Sequence, residues 1–244
     1  MRNLRLDICY DGTRYRGWQR LGDREDTIQG KLENTLSRIL GEAIEISGSG
    51  RTDAGVHAKG QVASFHTQSQ MPCSEILKEL RRYLPEDIGI YSCQECVPRF
   101  HARLNAKEKT YLYRIWNSRE PCVFERKYVA AMPENLDLAA MEDAAAKLLG
   151  EHDFSAFCGN PKMKKSTVRC VRAIEIRRVG REIQLRFTGD GFLQGMVRIL
   201  TGTLVEVGRG ERSPESIPSL FGGKRSEAGF LAPAQGLCLE EVRY

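Results

Sequence analysis

The stretch best equipped for chemistry runs Gly48-Ser-Gly-Arg51-Thr52-Asp53-Ala-Gly55-Val-His57-Ala-Lys-Gly60-Gln-Val-Ala-Ser-Phe65. Three familiar ligand loops can be tested on it. Gly50 and Gly55 stand at the separation of a Walker phosphate loop, but Val56-His57 occupies the place of the required Lys and Ser/Thr. Gly48-x-Gly50 lacks the third glycine of a dinucleotide loop, and the carboxylate of Asp53 in that place would repel a pyrophosphate. Asp53 and His57, four apart, could face one metal ion only on a helix, whereas Gly50 and Gly55 favour a loop. What remains is a loop, expected over 48–60, that presents one carboxylate beside one guanidinium. An aspartate next to an arginine stays ionised, which suits a nucleophile or an electrostatic stabiliser better than an acid. A surface Arg–Asp turn would have the same composition, so these residue types alone go no further.

The elements around this loop follow from periodicity. Leu4, Leu6, Ile8 and Tyr10 alternate on one face of a strand from Arg2 to Tyr10. Thr27 can cap a helix whose apolar positions are Ile28, Leu32, Leu36, Ile39 and Leu40, with Gly41 as its stop. A short Ile44/Ile46 strand, the glycine-rich run and a strand from Val62 to Thr67 come next. A helix over Ser74–Leu84 and a strand over Ile88–Val97 complete the first half.

The second half repeats the rhythm. Lys109–Trp116 alternates as a strand, and Asp137 caps a helix with Leu138, Met141, Ala145, Leu148 and Leu149 inward. Strands over Val168–Arg178 and Glu182–Thr188 hinge at Val179-Gly180. Gly191–Val207 carries Phe192, Met196, Leu200, Leu204 and Val207 at helical spacing, a short helix starts at Ser213-Pro214, and a last strand covers Leu237–Arg243. The expected class is α+β: two domains with antiparallel sheets, 1–105 carrying the 48–60 loop and 106–244 completing the site.

The chain has 244 residues, 37 Lys and Arg against 32 Asp and Glu, and a net charge of +5. That balance permits a polyanionic partner without requiring one. Its distribution says more. Pro161–Arg186 holds nine bases and two acids, and Arg99–Arg119 holds six bases and one acid with Tyr111, Tyr113 and Trp116 interleaved. Clustered bases neutralise phosphates and nearby aromatics offer stacking faces, so a nucleic acid is the favoured partner. Neither a membrane span nor an apolar leader is expected, since no stretch approaches the roughly 18 apolar residues a span needs. Of the eight cysteines only Cys93-Gln-Glu-Cys96 has metal-like spacing, and no second pair follows it, so a reduced, metal-free protein is expected.

The run GSGRTDAGVHAKGQVASF resembles the signature of the tRNA pseudouridine synthase A family. So do YDGTRYRGWQR at 10–20, TIQGKLENTLSRIL at 27–40, RFHARLNAKEKTYLYRIW at 99–116, GEHDFSAF at 150–157, TVR at 167–169 and APAQGLCLEEVRY at 232–244, in the family's order. The resemblance implies two ferredoxin-like domains with a central RNA-binding cleft, and isomerisation of uridine to pseudouridine at tRNA positions 38 to 40. It implies no cofactor, no metal, a cytoplasmic homodimer and no membrane. By position in the motifs it makes Asp53 the catalytic aspartate, attacking either the uracil ring or the ribose C1′. Arg51 would help extrude the nucleotide and hold the vacated space. Tyr111 would stack on the flipped uracil and assist proton removal from C5. Arg198 would pair with Asp53, and Leu237 would line the base pocket. A base in a helix must be flipped out to be reached, which fits those residue types.

Two places depart from the family pattern: Gln194-Gly195 stands where Tyr-His is common, and Cys238 replaces an aromatic residue. They bear on which uridines are chosen. Readings from other classes are an RNA-binding module with weakened catalysis and a zinc-dependent RNA protein using Cys93 and Cys96. Retention of Arg51, Asp53, Tyr111 and Arg198 favours the isomerase.

Overall fold

A computed structural model describes residues 1–22, 26–160 and 162–244. The protein is mixed α+β and divides into two compact units, Met1–Lys107 with Leu239–Tyr244, and Glu108–Cys238. The sequence division into 1–105 and 106–244 keeps the last strand with the second part, whereas most of it belongs to the first unit.

The first unit contains β1 (Arg2–Tyr10), α1 (Ile28–Leu40), β2 (Ser47–Gly48), β3 (His57–Thr67), α2 (Cys73–Tyr83) and β4 (Ile88–Glu95). β1 runs antiparallel to both β3 and β4, and β2 pairs antiparallel with the far end of β3. Leu4, Leu6 and Ile8, on one face of β1, are fully buried, as the alternation predicts. Helix α1 begins where Thr27 accepts a hydrogen bond from the Gly30 N–H at 3.2 Å, and it buries Ile28, Leu32 and Leu36 completely. Burying one such side chain is worth roughly 1.5–3 kcal/mol, against about 1 kcal/mol for a threonine cap. Packing therefore holds α1 in place, and the cap decides where it starts.

The Ile44/Ile46 strand is absent. Both isoleucines are buried, but the Ile44 N–H donates to the Ser37 hydroxyl and the Ile46 N–H to Glu33 Oε1, both from α1. Side chains of the helix satisfy this backbone in place of a strand ladder, and regular pairing begins only at Ser47.

The second unit contains β5 (Glu108–Trp116), β6 (Ala130–Ala131), α3 (Leu138–Lys147), β7 (Gly150–Asp153), β8 (Val168–Val179), β9 (Glu182–Gly189) and α4 (Met196–Gly208). The final strand, β10 (Leu237–Arg243), starts here and ends in the first unit. Strands β5, β9, β8 and β7 lie side by side and antiparallel, while the two-residue β6 adds to β5 in parallel. Asp137 caps α3 by accepting from the Ala140 N–H at 3.1 Å, as expected. Leu149, expected to point inward with Leu148, lies beyond the end of the helix and is 39% exposed, whereas Leu148 is fully buried.

Helix α4 is shorter than its apolar spacing suggests. Gly195 takes a left-handed conformation with φ 69° at its N-terminus, so the helix starts at Met196 and Phe192 stands before it. The penalty for a glycine inside a helix therefore does not arise.

Arg114 on β5 donates from Nε to Glu182 Oε2 on β9 at 2.9 Å and also reaches Glu125 at 3.1 Å. The Arg114 hydrogen bond holds the Glu182 carboxyl below its usual range. A carboxylate with a lowered folded-state pKa adds stability above its unfolded pKa of about 4.3, and that stability is lost as pH falls through the lowered value. Glu182→Gln should therefore cost about 1 kcal/mol at pH 7, a gap that closes below about pH 4. Urea unfolding of both proteins across this pH range measures it, and a gap that persists in acid would contradict the ion-pair account.

Candidate active site

The loop that carries Arg51 and Asp53 is shorter than expected. Strand β3 begins at His57, so Lys59 and Gly60 belong to it, and the irregular segment between β2 and β3 is 49–56. A strap made of residues 10–20 fastens this segment. The Trp18 N–H donates to the Thr52 carbonyl at 3.0 Å, and the Gly55 N–H donates to the Tyr15 carbonyl at 3.3 Å. Tyr10 and Thr52 share a hydroxyl–hydroxyl hydrogen bond of 2.8 Å. The strap is itself tied to the start of α1, since Ile28 and Gln29 donate their N–H groups to the carbonyls of Gly17 and Trp18. The chain order strap, helix, loop thus closes on itself through backbone bonds.

Gly17 makes that closure possible. Its φ is 95°, and a Cβ there would stand 2.5 Å from the Thr52 carbonyl oxygen. Thr52 is consequently buried and clamped from both its backbone and its side chain, while Arg51 is exposed and Asp53 half-buried. With Thr52 held inward, a carboxylate and a guanidinium flank it on a fixed backbone.

The other three residues drawn from the sequence lie in the second unit. Tyr111 on β5 is 7% exposed and meets Phe192 edge-on, with ring centroids 5.3 Å apart. Arg198, in the first turn of α4, donates from Nε to the Ala232 carbonyl at 2.7 Å, and the Ala232 N–H returns a bond to the Arg198 carbonyl. Leu237, buried, opens β10. Sequence reasoning missed Tyr113. Its hydroxyl donates to the Pro233 carbonyl at 2.8 Å, and its ring closes on Gly236 so tightly that a Cβ there would lie 2.7 Å away. Burial pushes the Tyr113 hydroxyl pKa up, partly offset by the nearby Arg198. Arg198 and Tyr113 together hold 232–236, and so set where Leu237 begins. The strand alternation placed Tyr113 on the same face as Tyr111 but gave no hint of its partner.

The departures from the family pattern have plain structural settings. Gln194 is exposed, and its carbonyl accepts the Gly159 N–H at 2.7 Å, a bond independent of its side chain. Cys238 is half-buried on β10.

At least four of the fifteen bases that made two segments strongly positive are engaged by carboxylates. Arg172 pairs with Glu108, Arg177 with Glu175, Arg181 with Glu120, and Arg114 with both Glu125 and Glu182. Pro161, the first residue of one segment, lies outside the described residues. Cys93 is buried, and burial together with the adjacent Cys73 pushes its thiol pKa up to about 12. The Cys96 thiol is directed to the Asn3 carbonyl. Among the described residues no group of three or more His, Cys, Asp and Glu could hold a metal ion, and no helix is long and apolar enough to cross a membrane.

Residues 8–104 and 144–244 match the family described as tRNA pseudouridine synthase. The chain is 46% identical to tRNA pseudouridine synthase A 2 of Bacillus cereus (strain ZK / E33L), over the whole of both chains. It is 48% identical to tRNA pseudouridine synthase A of Bacillus sp. (strain KSM-64) and 44% identical to tRNA pseudouridine synthase A 1 of Clostridium tetani, again over the full length of each. The chain belongs to the tRNA pseudouridine synthase family. It is accordingly an isomerase that modifies tRNA.

The close approach of Gly17 to Thr52 is open to test. Gly17→Ala should lower stability by about 1–3 kcal/mol through backbone strain, and should reduce turnover at least tenfold. Denaturant unfolding and a turnover assay on the same preparation check both, and a fully active variant would show that the strap does not govern the loop.

Proposed function

We propose that the chain converts uridine to pseudouridine at positions 38 to 40 in the anticodon stem-loop of tRNA, with Asp53 as the nucleophile. The observation that carries this reading is the Arg51-Thr52-Asp53 triplet, in which a clamped, buried Thr52 stands between an exposed Arg51 and a half-buried Asp53 on one short backbone.

The reaction is an isomerisation. The N1–C1′ bond of uridine breaks, a C5–C1′ bond forms, the proton on C5 leaves and N1 gains one, so the composition is unchanged. Asp53 attacks the uracil ring or C1′ and is released when the new bond has formed. Arg51 enters the space left by the flipped nucleotide and stabilises it there, which lowers the cost of unstacking. Tyr111 stacks on the extruded uracil and assists removal of the C5 proton. Arg198 pairs with Asp53 and keeps it ionised, and Leu237 lines the base pocket. The apolar and aromatic character of Tyr111, Phe192 and Leu237 excludes water, which would otherwise intercept the detached base. No cofactor or metal is required. The two units act as ferredoxin-like domains around an RNA cleft, the first carrying the catalytic loop and the second completing the site, in a cytoplasmic homodimer.

Wild-type protein should release tritium from tRNA labelled at uridine C5, and Asp53→Asn should reduce release by about 10³-fold or more while still binding tRNA. Equal release by the two proteins would refute Asp53 as the nucleophile. Pseudouridine mapping of tRNA from cells with and without the gene should show loss at positions 38 to 40, and loss elsewhere would overturn the substrate assignment.

A further inference from the structure

Gln61, on β3, is fully buried, and a buried amide is costly unless each of its polar atoms has a partner. Its partners are in the loop. Nε2 donates to the Gly50 carbonyl at 3.0 Å, and Oε1 accepts from the Ser49 hydroxyl at 2.6 Å and from the Val62 N–H at 3.1 Å. The orientation of the amide is unambiguous, because a carbonyl can only accept and a backbone N–H can only donate. Nε2 also approaches the Tyr10 hydroxyl at 3.5 Å, and that hydroxyl bonds Thr52 Oγ1. Ser49 is further held through its N–H by the Val62 carbonyl at 2.7 Å.

The strand geometry explains how two side chains from different strands reach one loop. Ile8 lies opposite Gln61 and Tyr10 opposite Ala58, with a break in register between them. Two residues of β3, Lys59 and Gly60, thus stand against the single Cys9 of β1, the arrangement of a β-bulge, a feature common beside active sites. Tyr10 and Gln61 consequently occupy the same face of the β1–β3 pair, under residues 49–52.

We propose that Gln61 is a positioning residue for the reaction: its amide, relayed through Tyr10, fixes Ser49, Gly50 and Thr52 and thereby aims Arg51 and Asp53. Gln61 touches no reacting atom; it acts through the loop. The proposal rests on the assignment of Asp53 above and goes beyond it, since the family motif marks Gln61 only as part of a run.

Three substitutions separate the amide's role from its bulk. Gln61→Met keeps the volume and removes every hydrogen bond. Gln61→Glu keeps the acceptors for Ser49 and Val62 but, ionised, cannot donate to the Gly50 carbonyl, and regains a donor when protonated. Tyr10→Phe removes only the relay hydroxyl. Single-turnover and steady-state kinetics on full tRNA, with circular dichroism to confirm folding at each pH, supply the readouts. Gln61→Met should lower kcat about 10- to 100-fold with KM within about twofold, and Tyr10→Phe should lower kcat about three- to tenfold. The ratio of Gln61→Glu to wild-type kcat should rise as pH falls from 8 to 5.5. The groups that bond the Gln61 amide, and so would face the introduced carboxyl, are the Ser49 and Tyr10 hydroxyls, the Gly50 carbonyl and the Val62 N–H.

Folded Gln61→Met protein with unchanged kcat would overturn the proposal, as would a Gln61→Glu ratio that does not change with pH. If Gln61→Met does not fold, the pH dependence of Gln61→Glu and the kcat of Tyr10→Phe decide. Asp53→Asn in the same assay keeps the two claims apart: full activity there refutes the Asp53 reading, whereas an inactive Asp53→Asn with a normal Gln61→Met refutes only the role of Gln61.

Discussion

The candidate site depends on one constraint: an irregular loop cannot satisfy its own buried backbone, so other parts of the chain must do it. Residues 49–56 have no ladder partner over most of their length. The Thr52 carbonyl goes to Trp18, the Gly55 N–H to Tyr15, the Gly50 carbonyl to Gln61 and the Ser49 N–H to Val62. Each partner is itself fixed, by β3 in the case of Gln61 and Val62 and by the first turn of α1 in the case of the strap. These bonds fix the backbone on either side of the exposed Arg51 and the half-buried Asp53. With Asp53 as the proposed nucleophile, preorganisation of this kind would spare the reaction the cost of ordering the loop at each turnover.

The second unit solves a related problem by different means. The segment 232–236 also lacks a ladder, and there a guanidinium and a phenol add to the backbone bond between Ala232 and Arg198. Arg198 holds Ala232, and Tyr113 holds Pro233 and covers Gly236. An arginine read from the motif only as a partner for the proposed nucleophile thus has a structural bond as well. Substituting Arg198 would disturb the start of β10 together with any effect on charge, so its kinetic consequences cannot be assigned to charge alone.

Electrostatics show how composition misleads when read in one dimension. The two basic segments are real in the sequence, but folding brings Glu108, Glu120, Glu125 and Glu182 against three of their arginines, Arg114, Arg172 and Arg181. Local charge counts could not include Glu120 and Glu125, which fall outside both segments. The more exposed of these pairs contribute little to stability, yet all of them reduce the charge that a phosphate backbone would meet.

Much of the fold was legible because it depends on local periodicity. Alternation in β1, the Thr27 and Asp137 caps, and the limits of β10 all follow from neighbouring residues. The misreadings share one cause. Ile44 and Ile46 look like a strand until Ser37 and Glu33 take their N–H groups, Gly195 looks helical until its φ becomes positive, and Leu149 looks buried until α3 ends before it. At the site, the identities of Arg51, Asp53, Tyr111, Arg198 and Leu237 came from motifs, while Gln61, Tyr10, Gly17 and Tyr113 acquired roles only with their partners in view. The sequence by itself determined the family, most of the element types and the residues proposed to bear the chemistry, since these are written in residue type and short spacing. Only the tertiary structure decided what holds those residues, because hydrogen bonds such as Tyr10–Thr52 and Gln61–Gly50 join positions with no periodic relation along the chain.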